Sequence, residues 1–236
     1  HGGLISFVAT FFVFADYTKP MVRLSSIMNL PLIYVLTHDS IGVGEDGPTH
    51  EPIEQLTMLR AQPNVTVFRP ADARETAAGW AVALTAKDAP TVLVLTRQNL
   101  PQLDGSGKDA FKGGYILSKA QGNPQGILMA SGSEVFLAVD AQKKLHEEGI
   151  EVNVVSLPSF ELFKKQPQSY QDEVLPKSLR KRVAIEAAAD LSWHQFVGLD
   201  GKCIGLNRFG ASAPGEVLFE KFGFTVQNVV DTFKSL

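Results

Sequence analysis

Several features that would assign this chain to a particular class of protein are scarce or missing among its 236 residues. A single cysteine, Cys203, excludes an internal disulfide and a cysteine-based zinc cluster, and is typical of a reducing, intracellular setting. The 22 basic and 25 acidic residues give a net charge of -3, without the basic excess that nucleic acids and anionic membranes attract. No apolar run approaches the ~20 residues of a membrane span. These absences predict a cytoplasmic protein that binds neither nucleic acid nor membrane.

The chain begins at His1, without an initiator methionine or a signal-peptide pattern. We therefore expect a fragment of a longer protein. Apolar residues make up 44% and charged residues 20% of the chain, as in an average globular protein, so wholesale disorder is excluded. The length suits one large α/β domain or two small ones.

Hydrophobic patterning predicts alternating strands and helices in the first hundred residues. Continuous apolar runs indicate buried strands, and apolar residues at three- and four-residue steps indicate helices. The predicted strands are residues 4–12, 32–36, 65–68 and 91–95, with a short helix at 53–60 and a longer one at 72–86 between them. The first helix is indicated by an apolar stripe of Phe14, Tyr17, Met21, Leu24 and Met28. Such alternation predicts a parallel sheet covered on both faces.

The pattern lapses into Gly, Ser, Asp and Lys between Pro101 and Gly114, and then the alternation resumes. Strands are predicted at 127–130, 152–157 and 183–186, and helices at 134–148 and 228–235. We therefore predict an α/β protein of two parallel-sheet units. The first, residues 1–105, is truncated at its N-terminus; residues 106–113 are a linker, and residues 114–236 form a complete second unit.

Candidate functional residues lie where predicted parallel strands end, because α/β proteins bind ligands at that edge. His38 follows the second strand, and the glycine-rich loop after it, residues 40–52, contains Asp46 and His50. An imidazole exchanges protons near neutral pH, and a nearby carboxylate can orient it or bind a hydroxyl group. Arg97 follows the strand at 91–95, where its guanidinium could bind a phosphate or take part in a surface ion pair.

Three aromatic residues precede this loop at intervals of three: Phe11, Phe14 and Tyr17. They could be ordinary core residues of a helix face. They could equally form an aromatic wall for a flat heterocycle, since aromatic rings offer a large apolar surface and offset stacking. Spacing alone does not choose between the two.

Residues 42–47 match the dinucleotide motif G-x-G-x-x-G and follow a predicted strand. Glu45 and Asp46 would place two negative charges where a pyrophosphate should bind. Pro48 and Pro52 interrupt the helix whose N-terminus should hold that phosphate. We therefore reject a dinucleotide site.

A metal site is a second alternative, and it would make the protein a metal-dependent hydrolase. Imidazoles and carboxylates suit zinc or manganese, but the spacing fits no familiar metal motif. Its ligands would be His38, Asp39, Asp46 and His50. Arg69, Arg74 and the basic run 177–182 are expected to be solvated surface, and Trp193 and His194 carry no recognisable signal.

The loop resembles the signature loop of transketolases. It reads Thr37-His38-Asp39-Ser40-Ile41-Gly42-Val43-Gly44-Glu45-Asp46-Gly47-Pro48-Thr49-His50-Glu51-Pro52. The family pattern continues upstream in residues 9–14 with Tyr17, and downstream in residues 69–72, 97–101, 113–115, 130–135, 155–158 and 208–212. The resemblance spans essentially the whole chain.

The resemblance implies the thiamine-diphosphate-binding (pyrimidine-domain) fold followed by a transketolase C-terminal-like domain. Transketolases move a two-carbon ketol unit from a ketose phosphate to an aldose phosphate, as homodimers with the cofactor at the subunit interface. By resemblance, the rings of Phe11, Phe14 and Tyr17 line the aminopyrimidine pocket. His38 and Arg97 would bind sugar phosphates, Asp46 would hold the C2 hydroxyl of the sugar, and His50 would assist proton transfer at the reacting carbonyl oxygen.

The chain departs from the family because the first domain, which holds the diphosphate and a Mg²⁺ or Ca²⁺ ion, is missing. The stretch that contains the glutamate for the aminopyrimidine is missing too. The resemblance therefore implies no metal ligand in these residues and an inactive isolated fragment of a pentose phosphate pathway enzyme. Two alternatives remain open, a non-catalytic dimerisation or regulatory module and a relative of dihydroxyacetone synthase.

Overall fold

The computed structural model of the chain describes residues 3–236, whose first sheet contains four strands. The elements of this first unit are β1 (Phe7–Phe11), α1 (Ala15–Ile27), β2 (Ile33–Thr37), α2 (Gln55–Arg60), β3 (Thr66–Phe68), α3 (Ala73–Thr85) and β4 (Thr91–Leu95). All pairings are parallel, in the order β1-β2-β4-β3. The register aligns Phe11 with Thr37 and Thr37 with Leu95. The carboxyl ends of these three strands therefore meet at one edge.

The second sheet has five strands in the order β5-β7-β6-β8-β9. Its elements are β5 (Tyr115–Ser118), β6 (Gly126–Ala130), α4 (Val135–Glu147), β7 (Val152–Ser156), α5 (Phe160–Lys164), α6 (Gln168–Val174), β8 (Arg182–Ile185), α7 (His194–Val197), β9 (Lys202–Ile204), α8 (Gly215–Lys221) and α9 (Val226–Lys234). Only β5, on one edge, pairs antiparallel. The predicted α/β class is confirmed. The edge strands β5 and β9 escaped prediction because neither is buried along its whole length as an interior parallel strand is.

The burial expected for the first strand and the first helical stripe is wrong. β1 is an edge strand with Phe7 63% exposed, and along α1 the side chains of Tyr17, Met21 and Leu24 are 79%, 52% and 55% exposed. α1 instead buries small residues, among them Ala15 and Ser25. No element of residues 3–236 covers this apolar face, and within the same residues no helix is long and apolar enough to cross a membrane.

Glu75 connects the two units. Asp72 is the N-cap of α3, and its carboxylate accepts from the Glu75 N–H at 2.9 Å. The Glu75 carboxylate accepts from the Ala71 N–H at 2.7 Å rather than closing a capping box with Asp72. It also accepts from the Tyr115 hydroxyl at 2.8 Å and from the Ser156 hydroxyl at 2.6 Å. Burial is the main reason that the pKa of Glu75 lies above its ordinary value.

Arg69, expected on the solvated surface, is fully buried between the two units. Its guanidinium donates to the Asp39 carboxylate at 2.8 Å, to the Glu134 carboxylate at 2.5 Å and to the Ser131 carbonyl at 2.8 Å. Asp39 belongs to the first unit, whereas Ser131 and Glu134 belong to the second. A buried charge has to be paired, so this arginine joins the two units at a point directly behind the glycine-rich loop.

A second arginine extends this network. Arg60, at the end of α2, forms a fork on Glu186 with N–O distances of 2.6 and 2.9 Å. Its guanidinium lies 3.7 Å from the centre of the Phe160 ring. Burial alone would raise the pKa of Glu186, but Arg60, together with Arg69 and the Ser131 hydroxyl, outweighs that effect and holds the pKa below its ordinary value. Trp193 donates to the same carboxylate at 2.7 Å. We name Arg69, Arg60, Asp39, Glu134 and Glu186 the inter-unit network.

Candidate functional site

His38 lies at the shared carboxyl edge of β1, β2 and β4, one residue beyond Thr37. Its φ of 61° is in the left-handed region, which few non-glycine residues adopt and which is frequent at functional sites. The imidazole stacks on the Phe11 ring with centroids 3.7 Å apart and an interplanar angle of 18°. Its Nδ1 shares a hydrogen bond of 2.9 Å with the Thr37 hydroxyl. Stacking and hydrogen bond together fix the ring and leave Nε2 for a ligand.

Aromatic rings connect His38 to His50, at the far end of the loop. Phe11 stacks on Phe14 at 6.3 Å with an interplanar angle of 11°. Phe14 meets the His50 ring edge-on at 5.8 Å and lies 6.0 Å from the Tyr17 ring. Phe11 and Phe14 are half-buried and Tyr17 is exposed, so none of the three is an ordinary core residue. The row of rings therefore links the two imidazoles, which lie at its two ends.

Asp46 and Arg97 complete the charges around His38. Both side chains are exposed. Burial lowers the pKa of His38, and the positive charge of Arg97 lowers it further, while Asp46 and Asp39 act in the opposite direction. The net shift is downward, so His38 is mainly neutral at pH 7 and can either donate or accept a hydrogen bond.

The glycine-rich loop is held against the second unit. A Cβ at Gly47 would overlap the Ser212 hydroxyl, and a Cβ at Gly44 would contact the backbone of Gly215 at 3.4 Å. Both glycines have positive φ, at 78° and 86°, a region that favours glycine. Beside this contact lies a cavity of about 690 Å³ lined by Arg97 among others. The close approach of the second unit to the loop at Ser212 therefore depends on the absence of a side chain at Gly47.

Glu51, the residue after His50, is a site feature that the sequence reading missed. Its side chain is buried at 2% exposure, and neither carboxylate oxygen has a hydrogen-bond partner among residues 3–236. It faces Gly210 of the second unit so closely that a Cβ there would overlap the carboxylate. Burial raises the pKa of Glu51 to about 7. The nearby backbone amide of Ala211 opposes this shift, although it does not form a hydrogen bond with the carboxylate. The only sequence signal for Glu51 is its position next to His50.

We expect Glu51→Gln to stabilise the fold at alkaline pH but not at acid pH. The raised pKa means that the folded state holds the proton while the unfolded chain already ionises near 4.5. The contribution of the protonated Glu51 carboxyl to the free energy of unfolding is therefore lost as the pH rises from about 4.5 to about 7. A neutral glutamine escapes this loss, so its advantage over glutamate should grow by about 1–3 kcal/mol across that range.

The measurement is urea unfolding of the 236-residue chain at about pH 5 and about pH 8. The matched control is Glu54→Gln, since Glu54 is exposed and lies three residues further along the chain. The control should show no change of this kind. An advantage of the Glu51 variant that is equal at both pH values would contradict the assignment.

The structure supports an aromatic ligand surface better than a metal site at this loop. Asp39 is buried and turned to Arg69 at 2.8 Å, so it cannot join His38, Asp46 and His50 around a metal, and the metal-site alternative loses one ligand. The half-buried rings of Phe11 and Phe14 and the exposed ring of Tyr17 offer a surface of the kind that a flat heterocycle binds. A separate group of potential metal ligands, Asp190, His194 and Cys203, lies in the second unit.

Two family models match the chain. The model described as the transketolase pyrimidine-binding domain matches residues 1–102, and the one described as the transketolase-like C-terminal domain matches residues 113–225. The chain is 56% identical over 241 residues to the transketolase of Geobacillus stearothermophilus, and the match covers 100% of this chain and 36% of that protein. The chain thus spans about a third of the length of the curated relatives it matches.

Solved transketolases share the fold. The structure from Leishmania mexicana is similar with a TM-score of 0.95 and 46% identity, over 99% of this chain and 34% of that one. A Pichia stipitis transketolase complexed with sedoheptulose-7-phosphate is similar with a TM-score of 0.92 and 44% identity, over 97% of this chain and 34% of that one. The family models, the alignment of the whole chain with a curated transketolase and the shared fold agree. The chain belongs to the transketolase family.

Proposed function

We propose that this chain is the C-terminal portion of an enzyme that transfers a two-carbon ketol group between a ketose phosphate and an aldose phosphate. The observation that carries the proposal is the continuous row of ring contacts from His38 through Phe11 and Phe14 to His50. Two imidazoles beside an aromatic surface suit a reaction in which protons move next to a bound heterocycle. The solved P. stipitis relative was crystallised with a sugar phosphate of this class.

Each residue has a proposed task. Phe11, Phe14 and Tyr17 bind and orient the aminopyrimidine of thiamine diphosphate, which supplies the carbanion chemistry when it is bound. His50 moves the proton at the reacting carbonyl oxygen, and its Nδ1 hydrogen bond of 2.9 Å to the Thr49 hydroxyl leaves Nε2 for that oxygen. Asp46 accepts a hydrogen bond from the C2 hydroxyl of the sugar.

The phosphate end of the substrate would lie against His38 and Arg97. The exposed guanidinium of Arg97 is free to form a fork on phosphate oxygens. A neutral His38 can donate a hydrogen bond to the same group. This arrangement favours phosphorylated acceptors, and a matched assay with an unphosphorylated short aldehyde would distinguish the enzyme from a dihydroxyacetone synthase-like relative.

The remaining proposals concern the whole protein. We propose that it acts in the pentose phosphate pathway in the cytoplasm, with Mg²⁺ or Ca²⁺ held by a domain outside this chain. We also propose domain limits of 1–105 and 114–236 with a linker at 106–113, since β4 ends at Leu95 and β5 begins at Tyr115. A homodimer with the active site at the subunit interface is supported by the exposed apolar face of β1 and α1, which needs a partner surface.

The proposal is tested by comparing the full-length protein with the isolated chain of 236 residues. With thiamine diphosphate, Mg²⁺, a ketose phosphate donor and an aldose phosphate acceptor, the full-length protein should transfer the ketol group. The isolated chain should show no turnover, because it lacks the residues that hold the diphosphate. Turnover by the chain alone, or a full-length protein without transfer activity, would overturn the proposal.

A further inference from the structure

Three side chains with metal-binding chemistry meet at the β9 edge of the second sheet, and the proposed ketol transfer uses none of them. Asp190 begins the 3-10 turn Asp190–Trp193, and His194 lies one helical turn further on. Cys203 is the central residue of β9. One ligand atom from each lies within 4.8 Å of the other two. Residues that are distant in sequence thus present a carboxylate, an imidazole and a thiol to one point.

The backbone around this point holds the donors in place. The Glu186 N–H donates to the Ile204 carbonyl at 3.0 Å, and the Leu206 N–H donates to the Ala188 carbonyl at 2.9 Å. A Cβ at Gly205 would come within 2.7 Å of the Asp190 Cβ, so the glycine after β9 lets Asp190 lie against the strand. The turn and the edge strand therefore form one rigid frame.

The donor atoms are free to bind a ligand. The distance from His194 Nε2 to Asp190 Oδ1 is 3.9 Å, which is too long for a hydrogen bond. The His194 side chain is 60% exposed and that of Asp190 is 17% exposed, so an ion can enter from solvent on the histidine side. Cys203 is a half-buried free cysteine.

We propose that Asp190, His194 and Cys203 form a binding site for Zn²⁺ or a similar borderline-soft divalent ion. Thiolate, imidazole and carboxylate are the three ligand types that Zn²⁺ takes in proteins, and three of them leave a fourth tetrahedral position for water. Tetrahedral bond lengths to Zn²⁺ require donors about 3.5 Å apart. The three donor atoms lie within 4.8 Å of one another, so side-chain rotation at more than one of the three residues has to close the difference. Hard cations such as Mg²⁺ avoid thiolate ligands.

A bound ion would cross-link β9 to the turn that supports the inter-unit network. Within that turn, the Ser192 hydroxyl accepts from Arg60 at 3.0 Å and the Trp193 indole donates to Glu186 at 2.7 Å. An ion that joins β9 to the turn Asp190–Trp193 would therefore also restrain Arg60 and Glu186, which bind residues of that turn. Because the ion binds the folded state, it should raise the thermal midpoint of unfolding.

The test is a titration of the full-length protein with Co²⁺, which replaces Zn²⁺ and reports thiolate ligation by a charge-transfer band in the near ultraviolet. We expect a saturable band at one equivalent, absent from Cys203→Ser. His194→Ala should weaken the Co²⁺ affinity by at least about 10-fold. The matched control is His146→Ala, which removes a histidine paired with Glu151 at 2.6 Å and away from any thiol. It should leave the titration unchanged.

Either of two results would overturn the site. One is the absence of a difference band between the parent and Cys203→Ser at saturating Co²⁺. The other is an unchanged affinity in His194→Ala, which would indicate an isolated thiol rather than a three-ligand site. Circular dichroism checks each variant for folding. Should Cys203→Ser fail to fold, the affinity of the His194 variant alone decides the proposal. A parallel titration with Mg²⁺ should leave the Co²⁺ band undiminished.

Discussion

Replacing Arg69 by methionine is expected to lower the free energy of unfolding of the chain by about 3–5 kcal/mol. The side chain is completely buried, and its guanidinium lies 2.8 Å from Asp39 and 2.5 Å from Glu134. Methionine fills a similar volume but leaves both carboxylates buried without their cation. An uncompensated buried charge costs far more than the lost attraction, so the expected effect is large.

The contributions of the positive charge of Arg69 and of its branched hydrogen-bond geometry to stability can be measured separately. Arg69→Lys keeps the positive charge but cannot reach Asp39, Glu134 and the Ser131 carbonyl together, so it should recover only part of the loss. The control is Arg180→Met, which breaks an exposed ion pair with Asp200 and should change the free energy of unfolding by less than about 1 kcal/mol. Urea unfolding measures all three variants. Equal losses for Arg69→Met and Arg180→Met would contradict the buried network.

The alternation of strands and helices could be predicted from sequence because it depends on local patterns. Buried parallel strands such as β2 and β4 read as continuous apolar runs, and both lie within a residue of their predicted bounds. The environment of β1 could not be predicted in this way. An apolar run indicates that a strand avoids water, but not whether the surface that covers it belongs to the same chain. In residues 3–236 that surface is absent, and Phe7 stays 63% exposed.

Arg69 shows a second limit of sequence reasoning. A single arginine after a short strand has the same sequence signal whether it faces solvent or is buried. What buries it is a long-range arrangement, since its partners Asp39 and Glu134 lie 30 residues before it and 65 residues after it. Such partners carry no periodicity. The one sequence signal for a special role of Arg69 was its position at the carboxyl end of a parallel strand, and Arg97 has the same signal.

The candidate site was easier to predict than these packing details, because its residues are close in sequence. His38, Asp46 and His50 lie in one loop, and the parallel register of β1 with β2 brings Phe11 beside it. The proposed tasks of the individual residues rest on the family resemblance, since geometry alone does not say which imidazole would transfer a proton and which would bind a phosphate. Glu51 escaped notice because nothing local indicates that the second unit closes over its carboxylate.

His50→Ala is expected to lower kcat/KM of the full-length protein about 10²–10⁴-fold, the usual contribution of a positioned general acid–base group. The His50 ring is fixed from two sides, by the Thr49 hydroxyl at 2.9 Å and by the Phe14 edge at 5.8 Å. Such a ring is already oriented for proton transfer before substrate binds. Asp46→Ala should also lose activity strongly, because it removes the proposed acceptor for the C2 hydroxyl.

The decisive comparison pairs steady-state kinetics with thermal unfolding. The His50 and Asp46 variants should both unfold within about a degree or two of the parent, since His50 is half-exposed and Asp46 exposed, so their losses cannot come from misfolding. His146→Ala, on the far unit and paired only with the Glu151 side chain, should keep full activity. Thr49→Val removes the hydroxyl that fixes the His50 ring and should lower kcat more than it raises KM. A His50→Ala enzyme within about threefold of the parent would remove proton transfer from the tasks of this imidazole.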